Sequence, residues 1–325
     1  MKVFITQQIE QEAIDLLKSN YDVVTSGVDR PLTRQEFLDG IRDADAVIMV
    51  WHTEQMDKEA FDAAPNLKIV ARRGVGYDNI DVQEATRRGI YVTVTPVHTN
   101  TIADLTFALL MNAARRIPAA DAYVRSGAWK EGGTEVARRF MGYDIHHKTI
   151  GIIGFGRIGK HMARRAGGFE MNVLYYDINR QPDAEKELNA TYATLNEIYE
   201  KADFISVNCA LTNGTRHLIG ADEIAKMKSN CVIVVTARGG IIDEKALYEA
   251  LRDGKLGGAG LDVFDPEPIL PDNPLLTLNN TAFTPHLGTS VHESRVLMVV
   301  TAAEEIIRVL SNEKPLYALN KLDRW

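Results

Sequence analysis

Thr149–Arg165 reads TIGIIGFGRIGKHMARR. A short apolar run suited to a strand (TIGII) meets a glycine loop, GFGRIG at Gly154–Gly159, and a helix-forming stretch follows. In such a loop the first glycine makes the turn, the second lets the backbone approach a pyrophosphate, and the third lets helix and strand pack closely. The helix N-terminus adds free N–H groups and a partial positive charge. A second strand, NVLYY, ends at Asp177, eighteen residues after Gly159. A carboxylate there accepts ribose hydroxyls and repels a 2′-phosphate. This context predicts a dinucleotide held by Gly154, Gly156, Arg157, Ile158 and Asp177, with NAD (NADH) favoured and NADP less so, although Arg180 leaves some tolerance.

The loop sits mid-chain, and the residues before it form an α/β unit of their own. KVFIT, YDVVT, AVIMV, LKIVA and IYVTV read as strands between helical segments, the second of which opens with a capping box, Thr33 and Glu36. After Thr101–Ala114, an apolar helix suited to burial between domains, comes a polar, glycine-bearing surface excursion from Ile117 to His147. Strand–helix alternation then resumes from TIGIIG to TAFTP, and a last helix spans about Val291–Ser311. The expected fold is α/β with two doubly wound parallel-sheet domains. A Rossmann domain at 98–288 is inserted in a flavodoxin-like substrate domain made of 1–97 and 289–325.

Composition narrows the function. At 325 residues with a net charge of -7, the chain has no basic face for nucleic acid. Its basic doublets, Arg72-Arg73 among them, are scattered and read mostly as solvated helix faces. Cys209 and Cys231 are the only cysteines, which is no disulfide framework; no metal site is predicted, and Cys231 reads as a buried thiol. Neither a signal-peptide pattern nor a membrane-spanning stretch is present, so the cytoplasm is the default expectation.

Three segments end strands at the edge where open α/β sheets bind ligands: TARGGIIDEKAL, GLDVFDPEP and TPHLG. With the glycine loop, in this order and spacing, they make the chain resemble the D-isomer-specific 2-hydroxyacid dehydrogenases. That resemblance, which covers nearly the whole chain, implies nicotinamide-dependent reduction of 2-keto acids with Arg238, Glu267 and His286 as the catalytic set. It also implies that Asp262 meets the nicotinamide carboxamide, and that Thr99, Thr236 and Gly288 touch the cofactor. The chemistry agrees: the alkoxide formed by hydride transfer needs a proton, which His286 can supply, and a carboxylate at Glu267 favours the imidazolium. Arg238 can fork onto a substrate carboxylate and carbonyl. In the first unit, RRGVGYDNID suggests a backbone nest for the carboxylate, which the resemblance assigns to Val75 and Gly76. Trp51 and His52 are the candidates for the substrate's variable end.

Three positions depart from the family pattern: Asn208 and Ala210 replace the usual histidine and proline, and Val235 replaces an asparagine. The expected activity is reduction of glyoxylate, hydroxypyruvate or a similar acid to the D-2-hydroxy acid, with the domains closing over the ligand. Phosphoglycerate dehydrogenase or 2-ketogluconate reductase is the alternative enzyme. An NAD-sensing corepressor-like module is the non-enzymatic one, disfavoured by the lack of a low-complexity tail. The resemblance also implies a homodimer meeting through the 117–147 excursion.

Overall fold

The computed structural model describes residues 1–322, apart from the Glu131 side chain. Residues 323–325, the end of the expected 289–325 segment, lie outside the described residues. The chain divides into two compact units, Met1–His98 together with the chain from Ser290 on, and Thr99–Thr289.

In the first unit β1 (Lys2–Ile5), α1 (Gln11–Lys18), β2 (Asp22–Thr25), α2 (Arg34–Ile41), β3 (Ala46–Met49), α3 (Lys58–Ala63), β4 (Ile69–Arg72), α4 (Val82–Arg87) and β5 (Tyr91–Thr93) alternate. The second contains α5 (Thr99–Ala114), α6 (Ile117–Arg125), α7 (Val136–Arg139), β6 (Thr149–Ile153), α8 (Arg157–Gly168), β7 (Asn172–Tyr176) and α9 (Pro182–Leu188). It continues through β8 (Ala190–Tyr192), α10 (Leu195–Lys201), β9 (Phe204–Val207), α11 (Ala221–Ile224), β10 (Val232–Val235), α12 (Glu244–Arg252), β11 (Gly258–Leu261) and β12 (Thr281–Phe283). The last helix, α13 (His292–Leu310), belongs to the first unit.

Both sheets are parallel throughout. The first has the order β2-β1-β3-β4-β5, which is the flavodoxin-like arrangement. Every residue of β3 and β4 is buried, as expected of central strands covered on two faces. Ile69 and Ala71 pack on α1 and α13, whereas Val70 faces the α2–α4 layer. The second sheet has the order β12-β11-β10-β9-β6-β7-β8. Strand order reverses between β6 and β9, so the loop after β6 opens at a topological switch point, where ligands bind in such folds.

Helix α5 begins at Thr99, and its apolar surface packs on α8 and on β10, β11 and β12 of its own unit. The 117–147 excursion contains α6, with a proline in its first turn, two short 3-10 turns and α7. No residue of α6 is buried. Arg72 is not on a solvated helix face but ends strand β4 and is 7% exposed.

After α13 the chain runs back along the edge of β5. Ala318 bridges Thr93 in antiparallel fashion, and the Leu319 N–H donates to Val92 O at 2.8 Å. The Asn320 side chain completes the edge by accepting from Val92 N at 3.0 Å and donating to Ile90 O at 2.8 Å. The buried Glu305 carboxylate holds the start of this tail through the N–H groups of Leu316 and Tyr317. Among the described residues no helix is long and apolar enough to cross a membrane.

Candidate active site

The glycine loop joins β6 to α8 at the switch point. Gly154 has φ +92°, a left-handed conformation, and a Cβ on it would lie 2.6 Å from Cys209 N, in the loop just past β9. At Gly159 an added Cβ would lie 2.2 Å from Gly154 O, so the helix could not approach the turn. Gly156 is different: a Cβ there would meet nothing within 4 Å. Its openness has no packing reason and leaves the approach that a pyrophosphate needs. Gly156 caps α8 without a side-chain hydrogen bond, and Arg157 is exposed at the first helical position. The N–H groups of this end suit an anion. The loop therefore fits a dinucleotide.

Asp177 closes the same corner. Its Oδ2 accepts from Phe155 N at 2.7 Å and its Oδ1 from Asn179 N at 3.1 Å. The carboxylate thus braces the glycine loop while keeping acceptor capacity for a ribose. Arg180 is ion-paired with Glu185 at 2.8 Å, and Tyr175 Oη donates to the same carboxylate at 2.7 Å. Thr99 is buried at the start of α5; the Thr236 hydroxyl shares a 2.6 Å hydrogen bond with that of Thr106.

Strand-end loops after β10, β11 and β12 gather the remaining candidates of this unit. His286 Nδ1 is in hydrogen-bond contact with Glu267 Oε1. These side chains are 38% and 20% exposed, accessible enough to meet a substrate. His286 has φ +55°, a strained conformation for a residue with a Cβ, costing roughly 1–2 kcal/mol. Asp262 compensates for that strain. It is 1% exposed and accepts from Thr284 Oγ1 at 2.6 Å, Leu287 N at 2.7 Å and Gly288 N at 2.9 Å, while its carbonyl accepts from His286 N at 2.9 Å. Burial pushes its carboxyl above the ordinary range, and those hydrogen bonds oppose the shift. Beyond the cofactor contact expected of it, Asp262 clamps the histidine loop. Arg238 is half-buried just past β10, and its Nη1 donates to Ala237 O at 2.7 Å.

The first unit holds the other candidates at the carboxyl ends of β3 and β4. Val75 and Gly76 are half-buried, and neither N–H has an acceptor among the described residues. Neighbouring groups are engaged: Gly74 N donates to Thr95 Oγ1 at 2.8 Å and Thr95 N returns to Gly74 O at 2.9 Å. Trp51 and His52 are half-buried in the loop after β3, and the Trp51 indole N–H is buried without a partner among the described residues. Sequence reasoning missed the groups that fix this corner. The Asn79 side chain donates to Glu54 O at 2.5 Å and Trp51 O at 3.3 Å, and Arg72 reaches four carbonyls. Glu54 is 4% exposed, and burial pushes its carboxyl up to about 7. In the same unit His98 is 2% exposed, without a partner on either nitrogen among the described residues. Burial, then Arg73, lowers it to about 4.

Two parallel α/β units, a dinucleotide loop at a switch point and a histidine–carboxylate pair at strand ends define a nicotinamide-dependent dehydrogenase. Residues 107–288 match the model of the D-isomer specific 2-hydroxyacid dehydrogenase NAD-binding domain. The chain is 44% identical to the glyoxylate reductase of Korarchaeum cryptofilum over 98% of this chain and 96% of that protein. The crystal structure of a glyoxylate reductase from Paecilomyes thermophila superimposes with a TM-score of 0.87 at 34% identity, covering 98% of each chain. A protein from Thermus thermophilus gives 0.92 at 36% identity, over 98% of this chain and all of that one. The chain belongs to the D-isomer specific 2-hydroxyacid dehydrogenase family. It is an oxidoreductase of 2-hydroxy and 2-keto acids that uses a nicotinamide cofactor.

Proposed function

We propose that the protein reduces a small 2-keto acid of the glyoxylate or hydroxypyruvate kind to its D-2-hydroxy acid with NADH. The observation that carries this reading is the His286–Glu267 pair, presented by strand-end loops in the unit that holds the glycine loop. When bound, the reduced cofactor supplies the hydride. His286 gives its proton to the oxygen that gains charge, and Glu267 orients the ring and favours the imidazolium that donates. Arg238 polarises the carbonyl and grips the carboxylate, and the N–H groups of Val75 and Gly76 take the carboxylate's other oxygen. Asp262 keeps the His286 loop in its strained form, so the proton donor needs no reorganisation during the reaction. Trp51 and His52 read the group beyond the keto carbon.

Asp177 supports NADH over NADPH, because its charge opposes a 2′-phosphate. Arg180, the nearby cation, is already held by Glu185. The excursion is the proposed homodimer contact, since Ile117, Val124, Trp129 and Met141 are 46–65% exposed there and α6 buries nothing.

The test is NADH oxidation, followed at about 340 nm, with a panel of 2-keto acids. Glyoxylate and hydroxypyruvate should give the highest kcat/KM, and no absorbance loss with any acid would overturn the reading. His286→Ala should lower kcat at least about a hundredfold while the NADH Kd stays within about twofold. Unchanged turnover would remove His286 from the mechanism.

A further inference from the structure

Arg72 ends β4 with its guanidinium buried beneath the Gly74–Gly76 loop. Its Nη1 donates to Met49 O at 3.0 Å, Val50 O at 2.6 Å and Arg73 O at 3.1 Å, and its Nε donates to Gly76 O at 3.1 Å. One planar cation thus joins the end of β3 to both ends of the loop that follows β4. A guanidinium suits this role because its donors sit in a rigid fork and remain charged when buried.

The consequence for the loop is directional. The carbonyls of Arg73 and Gly76 are drawn inward to Arg72, and that of Gly74 is taken by Thr95 N. The Arg73 N–H goes to Met49 O and the Gly74 N–H to Thr95 Oγ1. Only the successive N–H groups of Val75 and Gly76 are left without an acceptor among the described residues. Acceptors turned in and two adjacent donors left over make a backbone anion nest. The cation behind it adds a favourable field. Burial favours the neutral form of Glu54, whose carboxylate would oppose that field.

We infer that Arg72 is a positioning residue for the substrate carboxylate: it holds the Gly74–Gly76 loop so that the Val75 and Gly76 N–H groups converge on one anion. It touches no reacting atom. The inference rests on the proposed reading of that loop as the carboxylate site.

The experiment compares glyoxylate with its uncharged methyl ester in wild type, Arg72→Lys and Arg72→Met, with saturating reduced cofactor. Wild type should prefer the acid. Lysine keeps the charge but cannot reach the carbonyls of Met49, Val50 and Gly76 together, so Arg72→Lys should lose roughly tenfold of the acid-over-ester ratio in kcat/KM, mainly through KM. Arg72→Met should lose roughly a hundredfold. NADH affinity, measured by fluorescence, should stay within about twofold in both, and amide exchange at Ile48 and Val70, which reads the unit that holds Arg72, should match wild type; a loss of structure would move these readouts, but would not selectively erase discrimination between acid and ester. If wild type itself does not discriminate, the carboxylate reading of the loop fails. If wild type discriminates and Arg72→Lys, with NADH affinity intact, discriminates equally, the role given to Arg72 is overturned. Should Arg72→Met not fold, Arg72→Lys decides alone.

Discussion

Glu54 and His98 are buried ionisable groups of one unit, and they should oppose each other in the pH dependence of its stability. Glu54 has its carboxyl raised from 4.5 to about 7 by burial. Below pH 4.5 it is neutral whether the chain is folded or not. As pH rises toward 7 the unfolded chain ionises freely and the folded one does not, so stability is lost with rising pH. His98 is lowered from 6.5 to about 4, so stability is lost as pH falls through that window. Each gap is worth about 3 kcal/mol, at about 1.4 kcal/mol per pH unit. Between pH 4.5 and 6.5 the two slopes have opposite sign and nearly equal size, and in wild type they cancel. Replacing one group exposes the other. Relative to wild type, His98→Leu should lose about 3 kcal/mol between pH 4.5 and 6.5, and Glu54→Gln should gain about as much. The double variant should track wild type. Amide hydrogen exchange at Ile5, Ile48 and Val70 reads this unit alone, and differences from wild type remove the other carboxylates from the comparison. A pH-independent difference for either single variant would refute the reasoning.

The glycine loop and its acid give the remaining predictions. Gly156→Ala should leave stability within about 0.5 kcal/mol, since its Cβ meets no protein atom within 4 Å, yet weaken cofactor affinity, read by NADH fluorescence titration. Gly154→Ala should instead cost about 2–3 kcal/mol in urea unfolding, because it combines a left-handed φ with a 2.6 Å approach to Cys209 N; equal behaviour of the two variants would count against the assignment. Asp177→Ser should shift the NADPH-over-NADH ratio of kcat/KM upward by roughly tenfold or more, and an unmoved ratio would show that the acid does not read the ribose.

Much of this was legible because it depends on local pattern. The two sheets follow from alternating apolar runs, and the glycine loop, Glu267 and His286 follow from motifs whose backbone geometry is local. Asp262, Arg72, Glu54 and His98 were not legible in the same way. A charged residue inside or beside a strand reads as exposed unless its acceptors are known, and those of Arg72 come from carbonyls up to 23 residues away. Asp262 was noticed, but its clamp role depends on a loop more than twenty residues later folding onto it. Helix α6 did carry a signal, the proline of IPAADAYVR in its first turn. It was hidden by the polar residues and glycines around it.

The discontinuity of the first unit has a consequence for biosynthesis. Helix α13 places Val299, Ile306, Val309 and Leu310 in the core beneath β1, β3 and β4, which at about 2 kcal/mol each amounts to about 8 kcal/mol. That is comparable to the whole net stability of an ordinary domain. Residues 1–98 emerging from the ribosome therefore cannot hold their fold, and must wait through nearly two hundred further residues for α13. The intervening unit is continuous and can mature first. During that interval the parallel strand β5 has a bare edge, so a nascent chain stalled before residue 290 is the form of this protein most open to chaperone capture and to strand pairing with a neighbour.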